Sequence, residues 1–164
     1  MRQPDFTVED AYAIARAAHA GQTDQQGRDY FTYHLVPIAE SLRRLGPHAE
    51  MAGILHDIIE DTSEHEHPWT AERLLANGVP TEVVEAVVSV TRIPGEPYKT
   101  MIRRAAANRL GRKVKLADND RNIKDNAALA EKDPAKAASL LNKRYLPARD
   151  VLLAAEEADQ YARP

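Results

Sequence analysis

Apolar residues recur every three or four positions along most of the chain, a spacing typical of helices that pack on one face. Thr7 is predicted to cap the first helix because Asp10 follows three residues later and the apolar periodicity begins beyond it. This helix is expected to end at Gly21. The spacing then predicts a second helix over 33–45, and Pro47 opens a third helix that carries much of the polar chemistry considered below.

The second half of the chain continues the same pattern. Thr70 and Thr81 are each placed to cap a helix. The valine-rich stretch 83–90 resembles a strand, but the cap at Thr81 and the short glycine-bounded connections favour a helix. We therefore expect one all-α domain over residues 1–164 with about eight helices. The remaining helices are predicted over 98–108, 109–130 and 134–161, the last of them broken near Pro147.

Composition narrows the possible functions. The 164 residues carry a formal net charge of −3, and the basic residues concentrate between Lys99 and Lys124. The absence of cysteine excludes disulfides and thiolate metal sites. No apolar run reaches transmembrane length, the first ten residues lack the apolar segment of a secretion signal, and no nucleic-acid-binding module is visible. We expect a cytoplasmic protein that contacts neither membrane nor nucleic acid.

The heptapeptide HDIIEDT at 56–62 carries the densest polar chemistry in the chain. Read as one helix, its four polar side chains from His56 to Asp61 share an arc of about 140°, and the isoleucines face the opposite way. Small residues at Ala49 and Gly53 are expected to leave room there for a ligand. A solvated helix face is the plainer alternative, but such a face normally mixes Lys or Arg among its acids, and here there is none.

Four residues stand out as candidate ligands of a metal ion. Two imidazoles with two carboxylates suit a divalent ion such as Mn²⁺, Fe²⁺ or Zn²⁺. The candidates lie on three different helices, so sequence spacing alone does not prove that they converge. A single histidine or aspartate in such a position is more often structural. The four candidates are His34, His56, Asp57 and Asp118.

Asp118 has polar neighbours on its own helix. Lys115, Asp118 and Asn122 fall within about 60° on one helical face. Asp and Asn are locally unfavourable in the middle of a helix, and sequence that breaks a local rule is often functional. A cation, a candidate metal ligand and an amide on one face suit a phosphorylated substrate that binds beside a metal.

Together these motifs resemble the HD superfamily of metal-dependent phosphohydrolases. Within it, the chain is most similar to the hydrolase domain of the RelA/SpoT stringent-response proteins and to the stand-alone small alarmone hydrolases. A His-Asp pair alone carries no weight, whereas the order of the motifs over roughly 10–150 does. The matching pieces are His19 to Gln22, Tyr33 to Ala39, Leu55 to Thr62, Tyr98, Asn108 to Arg112, and Val114 to Asp118 with Asn122.

The resemblance implies an activity and a set of roles. Family members bind one Mn²⁺, here through the four candidate ligands, and hydrolyse the 3′-pyrophosphate of guanosine tetra- or pentaphosphate to GDP or GTP and pyrophosphate. Glu60 and Asp61 match the pair that positions and deprotonates the attacking water, and Asn122 matches a residue that contacts the substrate.

Lys115 is expected to neutralise phosphate charge. Tyr145 is expected to stack on the base, with core packing as the alternative. Further positive charge is hypothesised from Arg103, Arg104, Arg109 and Arg112, for which a solvated helix face is the alternative.

The loop after the first motif departs from the family pattern. Members usually carry Arg or Lys there, close to the pyrophosphate, whereas this chain reads TDQQGRD over 23–29. We expect Arg28 to replace the missing cation and to bind substrate. No synthetase domain fits in this length, so a stand-alone, one-way enzyme is expected, and its oligomeric state stays open. Two rivals remain: an HD phosphohydrolase for another nucleotide (a nucleoside 3′-phosphate, NADPH or an adenine alarmone), and a non-catalytic nucleotide-binding module.

Overall fold

The computed structural model describes residues 5–163. Pro164 and the first four residues, which belong to the segment inspected for a secretion signal, lie outside the described residues. Within the described range the chain is helical without strands, apart from an isolated bridge between Thr23 and Asp29, and the all-α prediction is confirmed. The α-helices in this range are α1 (Val8–Ala18), α2 (Val36–Leu42), α3 (Pro47–Leu55), α4 (Ile58–Asp61), α5 (Ala71–Ala76), α6 (Thr81–Val90), α7 (Tyr98–Ala107), α8 (Arg109–Lys132), α9 (Pro134–Leu140) and α10 (Leu146–Tyr161).

Two of the three predicted threonine caps are confirmed. The Thr7 hydroxyl accepts a hydrogen bond from the backbone N–H of Asp10, and the Asp10 carboxylate accepts one from the backbone N–H of Thr7. Thr70 accepts a hydrogen bond from the backbone N–H of Arg73. The prediction for Thr81 is wrong: the extended backbone of Pro80 forms the N-cap, so Thr81 is already the first helical residue.

Two helices begin with a π-helical turn, one over Phe31–Leu35 before α2 and one over Leu141–Tyr145 before α10. In each case a proline follows two residues after the turn, at Pro37 and Pro147. A proline inside a helix has no N–H to donate and its ring crowds the carbonyl four residues earlier, so the chain widens into a longer hydrogen-bonded turn. The predicted helix over 33–45 therefore starts earlier and less regularly than expected.

The prediction that the HDIIEDT segment continues the helix that Pro47 opens is wrong, because the helix breaks at His56 and Asp57. Helix α3 ends at Leu55, and α4 begins at Ile58. The ring Nδ1 of His56 lies 2.8 Å from the Gly53 carbonyl oxygen and bonds to it, and Asp57 has φ −98° and ψ 0°. A side chain that bonds to a carbonyl of the preceding turn competes with the helical ladder, which accounts for the break.

The small residues of α3 serve helix packing and leave no room for a ligand, contrary to the prediction. A Cβ atom at Gly53 would lie 2.8 Å from Cδ1 of Leu42 and 3.0 Å from Cα of Ala39. Ala49 is buried as well. Helices α2 and α3 thus approach closely because α3 has no side chain at this point.

Helix α8 runs through the middle of the molecule and contacts α2, α3, α6, α7, α9 and α10. A large apolar cluster with Ile38 of α2 and Ile54 of α3 lies on one side, and a smaller cluster with Met101 and Leu152 joins α7 to α10. Asp118, in the middle of α8, is therefore held between packed layers. Among the described residues, no helix is both long and apolar enough to cross a membrane.

Candidate metal centre

The structure brings the four predicted ligands together. His34 comes from the π-turn before α2, His56 and Asp57 from the break after α3, and Asp118 from α8. Nε2 of His34 lies 3.3 Å from Oδ1 of Asp118 and 3.6 Å from Oδ2 of Asp57. Nε2 of His56 lies 3.0 Å from Oδ2 of Asp57 and 3.8 Å from Oδ1 of Asp118. One ligand atom each from His34, His56 and Asp118 lie within 4.8 Å of one another.

The hydrogen bonding of His56 fits a metal ligand. Since the Gly53 carbonyl only accepts, Nδ1 carries a proton, and Nε2 is the ring nitrogen whose lone pair is left for a metal ion. This nitrogen is buried and has no hydrogen-bond partner, because the nearby Asp57 oxygen is not aligned for a hydrogen bond. A buried lone pair without a donor normally needs an explanation, and a cation held with two carboxylates supplies one.

The electrostatics also favour positive charge at this point. Burial alone would lower the pKa of His34, but the carboxylates of Asp118 and Asp57 outweigh it and raise that pKa to about 9. The pKa of His56 is raised by the same two acids despite its burial. Burial would raise the pKa of Asp118, but the charge of Lys115 holds it well below its usual value. The cluster thus suits either protonated imidazoles or a divalent ion.

Three side chains donate hydrogen bonds to the carboxylates of Asp57 and Asp118. The Tyr30 hydroxyl donates to Oδ2 of Asp57 at 2.5 Å, and its ring stacks on His34 with centroids 4.7 Å apart. Lys115 donates to Oδ2 of Asp118 at 2.6 Å, and Asn122 donates to Oδ1 at 3.2 Å. Sequence reasoning missed Tyr30, although its place at the end of the altered loop was a usable signal.

Glu60 and Asp61 have different surroundings. The Gln22 amide donates to Oδ2 of Asp61 at 2.8 Å, and the Gln22 amide oxygen lies 2.7 Å from Nδ1 of the buried His19. Burial and the neighbouring Asp57 raise the pKa of Asp61. Glu60 is exposed and accepts a hydrogen bond from the backbone N–H of Arg92. The Asp61 carboxylate is therefore held in one orientation and has a raised pKa, whereas Glu60 lies at the exposed edge of the site.

A cleft of about 370 Å³ opens over the cluster and is bordered by Glu60, Asp61 and three of the predicted substrate residues: Lys115, Asn122 and Tyr145. Two arginines that sequence reasoning missed also border it, Arg92 and Arg144. The Arg144 guanidinium lies over the ring of Tyr98, 4.4 Å from its centroid. We name this cavity, which three of the candidate ligands (His34, Asp57 and Asp118) line, the metal cleft; the fourth, His56, is buried behind them.

The other predicted cations lie elsewhere. Arg28 does not border the metal cleft: its Nε donates to Asp24 at 2.8 Å, and its guanidinium lies over the ring of Tyr33. This placement organises the loop, and the expected contact of Arg28 with substrate stays a prediction. The four other arginines that were hypothesised to bind phosphate do not border the metal cleft either. Arg103 is exposed, and the other three form ion pairs: Arg104 with Glu96, Arg109 with Asp159, and Arg112 with Glu156 and Asp159.

An all-helical bundle with two histidines and two aspartates at one cleft defines a domain of the HD type. No family model matches the chain. Over 129 residues, 73% of this chain, it is 33% identical to the bifunctional (p)ppGpp synthase/hydrolase SpoT of Escherichia coli K12. Over 148 residues it is 29% identical to a GTP pyrophosphokinase of Streptomyces coelicolor. The chain spans less than a fifth of the length of these curated relatives, 18% and 17% respectively.

The fold comparison agrees with the sequence comparison. A solved metazoan ortholog of SpoT, reported to hydrolyse ppGpp, matches with a TM-score of 0.60 and 22% identity, over 78% of this chain and 74% of that chain. The predicted resemblance to the HD-type hydrolase domain of RelA/SpoT proteins is therefore confirmed.

Proposed function

We propose that this protein is a divalent-metal-dependent hydrolase that removes the 3′-pyrophosphate of guanosine tetra- or pentaphosphate, giving GDP or GTP and pyrophosphate. The observation that carries the proposal is the convergence of His34, His56, Asp57 and Asp118 beside a cleft that His34, Asp57, Asp118 and Asp61 line. The SpoT-type relatives, named for (p)ppGpp hydrolysis, supply the substrate class.

The four ligands would hold one ion, for which Mn²⁺ is our proposal. When bound, a divalent ion supplies positive charge that lowers the pKa of water and stabilises charge on a phosphoryl group. Asp61 is the proposed proton acceptor, because Gln22 fixes one of its oxygens and its raised pKa makes it a better base. General-base assistance of this kind contributes about 10²–10⁴ in rate. Glu60, at the rim, would help to position the water.

Phosphoryl transfer also needs positive charge around the migrating group. Lys115 sits deepest, beside Asp118, and Arg92 and Arg144 border the opening of the metal cleft. We propose that these three cations neutralise the pyrophosphate, that Asn122 contacts the sugar or the 3′ oxygen, and that the Tyr145 ring stacks on the base. Water gives its oxygen to phosphorus and one proton to Asp61, the bond between phosphorus and the ribose 3′ oxygen breaks, and that oxygen takes up a proton to become the 3′-hydroxyl group of GDP or GTP.

A second candidate function rests on the loop over 23–29. Its arginine is paired with Asp24, so the loop presents no uncommitted cation from Arg28. This favours an HD phosphohydrolase for another nucleotide, such as a nucleoside 3′-phosphate, NADPH or an adenine alarmone. A non-catalytic nucleotide-binding module is less well supported, because binding alone does not call for the hydrogen bonds that orient Asp61.

A nucleotide panel separates these candidates. The Mn²⁺-loaded protein is incubated with guanosine tetraphosphate, its adenine counterpart, NADPH and nucleoside 3′-phosphates, and released phosphate and pyrophosphate are quantified. We expect guanosine tetraphosphate to give the highest kcat/KM. A higher value for another member would favour the second candidate. No turnover of any member, with one Mn²⁺ bound per chain by elemental analysis, would favour the binding module.

A further inference from the structure

A second cavity of about 260 Å³ extends the metal cleft along α8, and we name it the distal compartment. The two cavities share five lining residues: Gln25, Tyr30, His34, Asn122 and Tyr145. They therefore adjoin, and their combined size falls within the range of about 300–1,000 Å³ that is usual for small-molecule sites. The far end of the distal compartment is bordered by Lys132, the last residue of α8.

One face of α8 forms the wall along this whole space. Five of the α8 residues that line it follow each other at steps of four, four, three and three, which keeps them on a single helical face. At 1.5 Å per residue, the fourteen residues from the metal ligand to the terminal lysine correspond to about 21 Å along the helix axis. A lysine side chain tilts back towards the helix N-terminus and shortens that span. In order, these residues are Asp118, Asn122, Asn126, Leu129 and Lys132.

The two ends of the space differ from its middle in charge. The metal cleft has Lys115 and two arginines, whereas the lining of the distal compartment includes four amide side chains and two carboxylates. Both carboxylates are compensated: Asp24 by Arg28 at 2.8 Å, and Asp125 by Arg121 at 3.1 Å. Neither of these arginines lines the compartment.

Lys132 is the cation among the residues that line the distal compartment. It is exposed, and within the described part of the chain no carboxylate lies at ion-pair distance from its Nζ. A cation at the end of α8 also interacts favourably with the helix dipole, which would be a purely structural role. A lysine that only stabilises the helix end would not change the affinity for substrate, whereas a lysine that binds a phosphate group would.

We propose that Lys132 binds the 5′-phosphate groups of the substrate while the metal centre acts on its 3′ end. This inference rests on the proposed function and extends it: the protein selects nucleotides that are phosphorylated at both ends. The nucleoside lies in the neutral, amide-lined middle of the space, against Asn122 and Asn126.

The test compares two substrates with the Mn²⁺-loaded protein: guanosine tetraphosphate, and guanosine 3′-diphosphate without 5′ phosphates. Lys132→Gln is expected to raise KM for the tetraphosphate about tenfold, in keeping with the loss of a charge-assisted contact, and to leave kcat unchanged. The same variant should leave KM for guanosine 3′-diphosphate unchanged, and Lys132→Arg should restore the preference. Lys136→Gln, an exposed lysine of α9 outside the compartment, is the matched control.

An equal rise of KM for both substrates, or no rise for either, would overturn the role of Lys132. If the wild-type protein cleaves neither substrate, the proposed function fails, and the binding role is decided separately by calorimetric titration with the tetraphosphate. A tenfold loss of affinity in Lys132→Gln then supports the distal phosphate site, and an unchanged affinity excludes it.

Discussion

Single hydrogen bonds decide which atoms face the candidate metal. The Gly53 carbonyl fixes the proton of His56 on Nδ1, and Tyr30 and Lys115 each hold one oxygen of a ligating aspartate. Two of these contacts span only three residues, Gly53 to His56 and Lys115 to Asp118, whereas Tyr30 and Asp57 are 27 residues apart. The sequence therefore indicated the ligand types, and the hydrogen bonds that orient them emerged only from the folded chain.

Removal of a ligand and removal of the base should have different consequences. His56→Ala is expected to abolish both stoichiometric Mn²⁺ binding and turnover. Asp61→Asn should keep one Mn²⁺ per chain and lose about 10²–10⁴ in kcat, because only the proton acceptor is removed. Elemental analysis and initial rates of the two variants check this. Full activity in His56→Ala, or loss of metal in Asp61→Asn, would contradict the assigned roles.

Gln22 is expected to tune Asp61. Its hydrogen bond lowers the pKa of Asp61 against burial and the nearby Asp57, which raise it. Gln22→Met removes the hydrogen bond with little change in volume, so the pKa of Asp61 should rise and the acidic limb of the kcat/KM profile should move to higher pH. A fall of about tenfold in kcat is expected at most, given about 0.5–1.5 kcal/mol for one hydrogen bond.

The control for that experiment is Gln160→Met, which lies on α10 away from the metal cleft and should leave the pH profile unchanged. An unshifted acidic limb in Gln22→Met would show that Asp61 is not the group that titrates in that limb.

The helices themselves place two of the site residues through irregular turns. His34 lies in the π-turn before Pro37, and Tyr145 lies in the π-turn before Pro147. Pro37→Ala restores a donor to the helical ladder, so the turn can tighten and rotate His34. We expect about a tenfold loss of Mn²⁺ affinity by calorimetric titration, with the far-UV circular dichroism of the folded protein retained.

Pro147→Ala provides the matched comparison. The same relaxation there moves Tyr145 and not a ligand, so Mn²⁺ affinity should stay unchanged while KM for guanosine tetraphosphate rises. Equal Mn²⁺ affinity in Pro37→Ala and the wild-type protein would exclude the link between the first π-turn and the metal centre.

Local signals predicted most helices but not their irregularities. The caps at Thr7 and Thr70 were predictable because the capping contacts span only three residues. The break after Leu55 depends on a histidine side chain that bonds backward, and the tight packing at Gly53 depends on a neighbouring helix. The periodicity that predicts a helix contains neither kind of information.

In the molecule as a whole, α8 is tied to α10 by ion pairs. Arg112 and Lys113 contact Glu156, and Arg109 and Arg112 contact Asp159. Burial alone would raise the pKa of Glu156, but Lys113 and Arg112 outweigh it and lower the pKa, and Arg109 lowers that of Asp159. These arginines were hypothesised to bind phosphate because sequence does not reveal which cations already have a partner.

This network makes stability depend on pH. A carboxylate whose pKa is lower in the folded than in the unfolded chain stabilises the fold above its unfolded pKa of about 4, and this contribution is lost as the pH falls through the folded pKa. Glu156→Gln should therefore lower the melting temperature by about 2–4 °C at pH 7. The difference from the wild-type protein should shrink towards pH 3. A constant difference between pH 7 and pH 3 in thermal unfolding would contradict the role of the network.

The order of the motifs along the chain predicted the convergence of the four ligands, because a resemblance to known proteins carries their arrangement in space. Arg92, Arg144 and Lys132 were not predictable in this way, since each is defined by a cavity that several distant segments build. The departure of the loop over 23–29 from the family pattern was visible in the sequence. The distal compartment that ends at Lys132, by contrast, is visible only in the folded molecule.

Anion-exchange analysis of the products from guanosine tetraphosphate is the most direct test of the proposed metal centre. The wild-type protein is assayed with Mn²⁺, after removal of the ion by a chelator, and after Mn²⁺ is restored. We expect GDP and pyrophosphate in equal amounts in the first and third assays, and none in the second. Undiminished turnover after complete removal of divalent ions would contradict a metal-dependent hydrolase at this cleft.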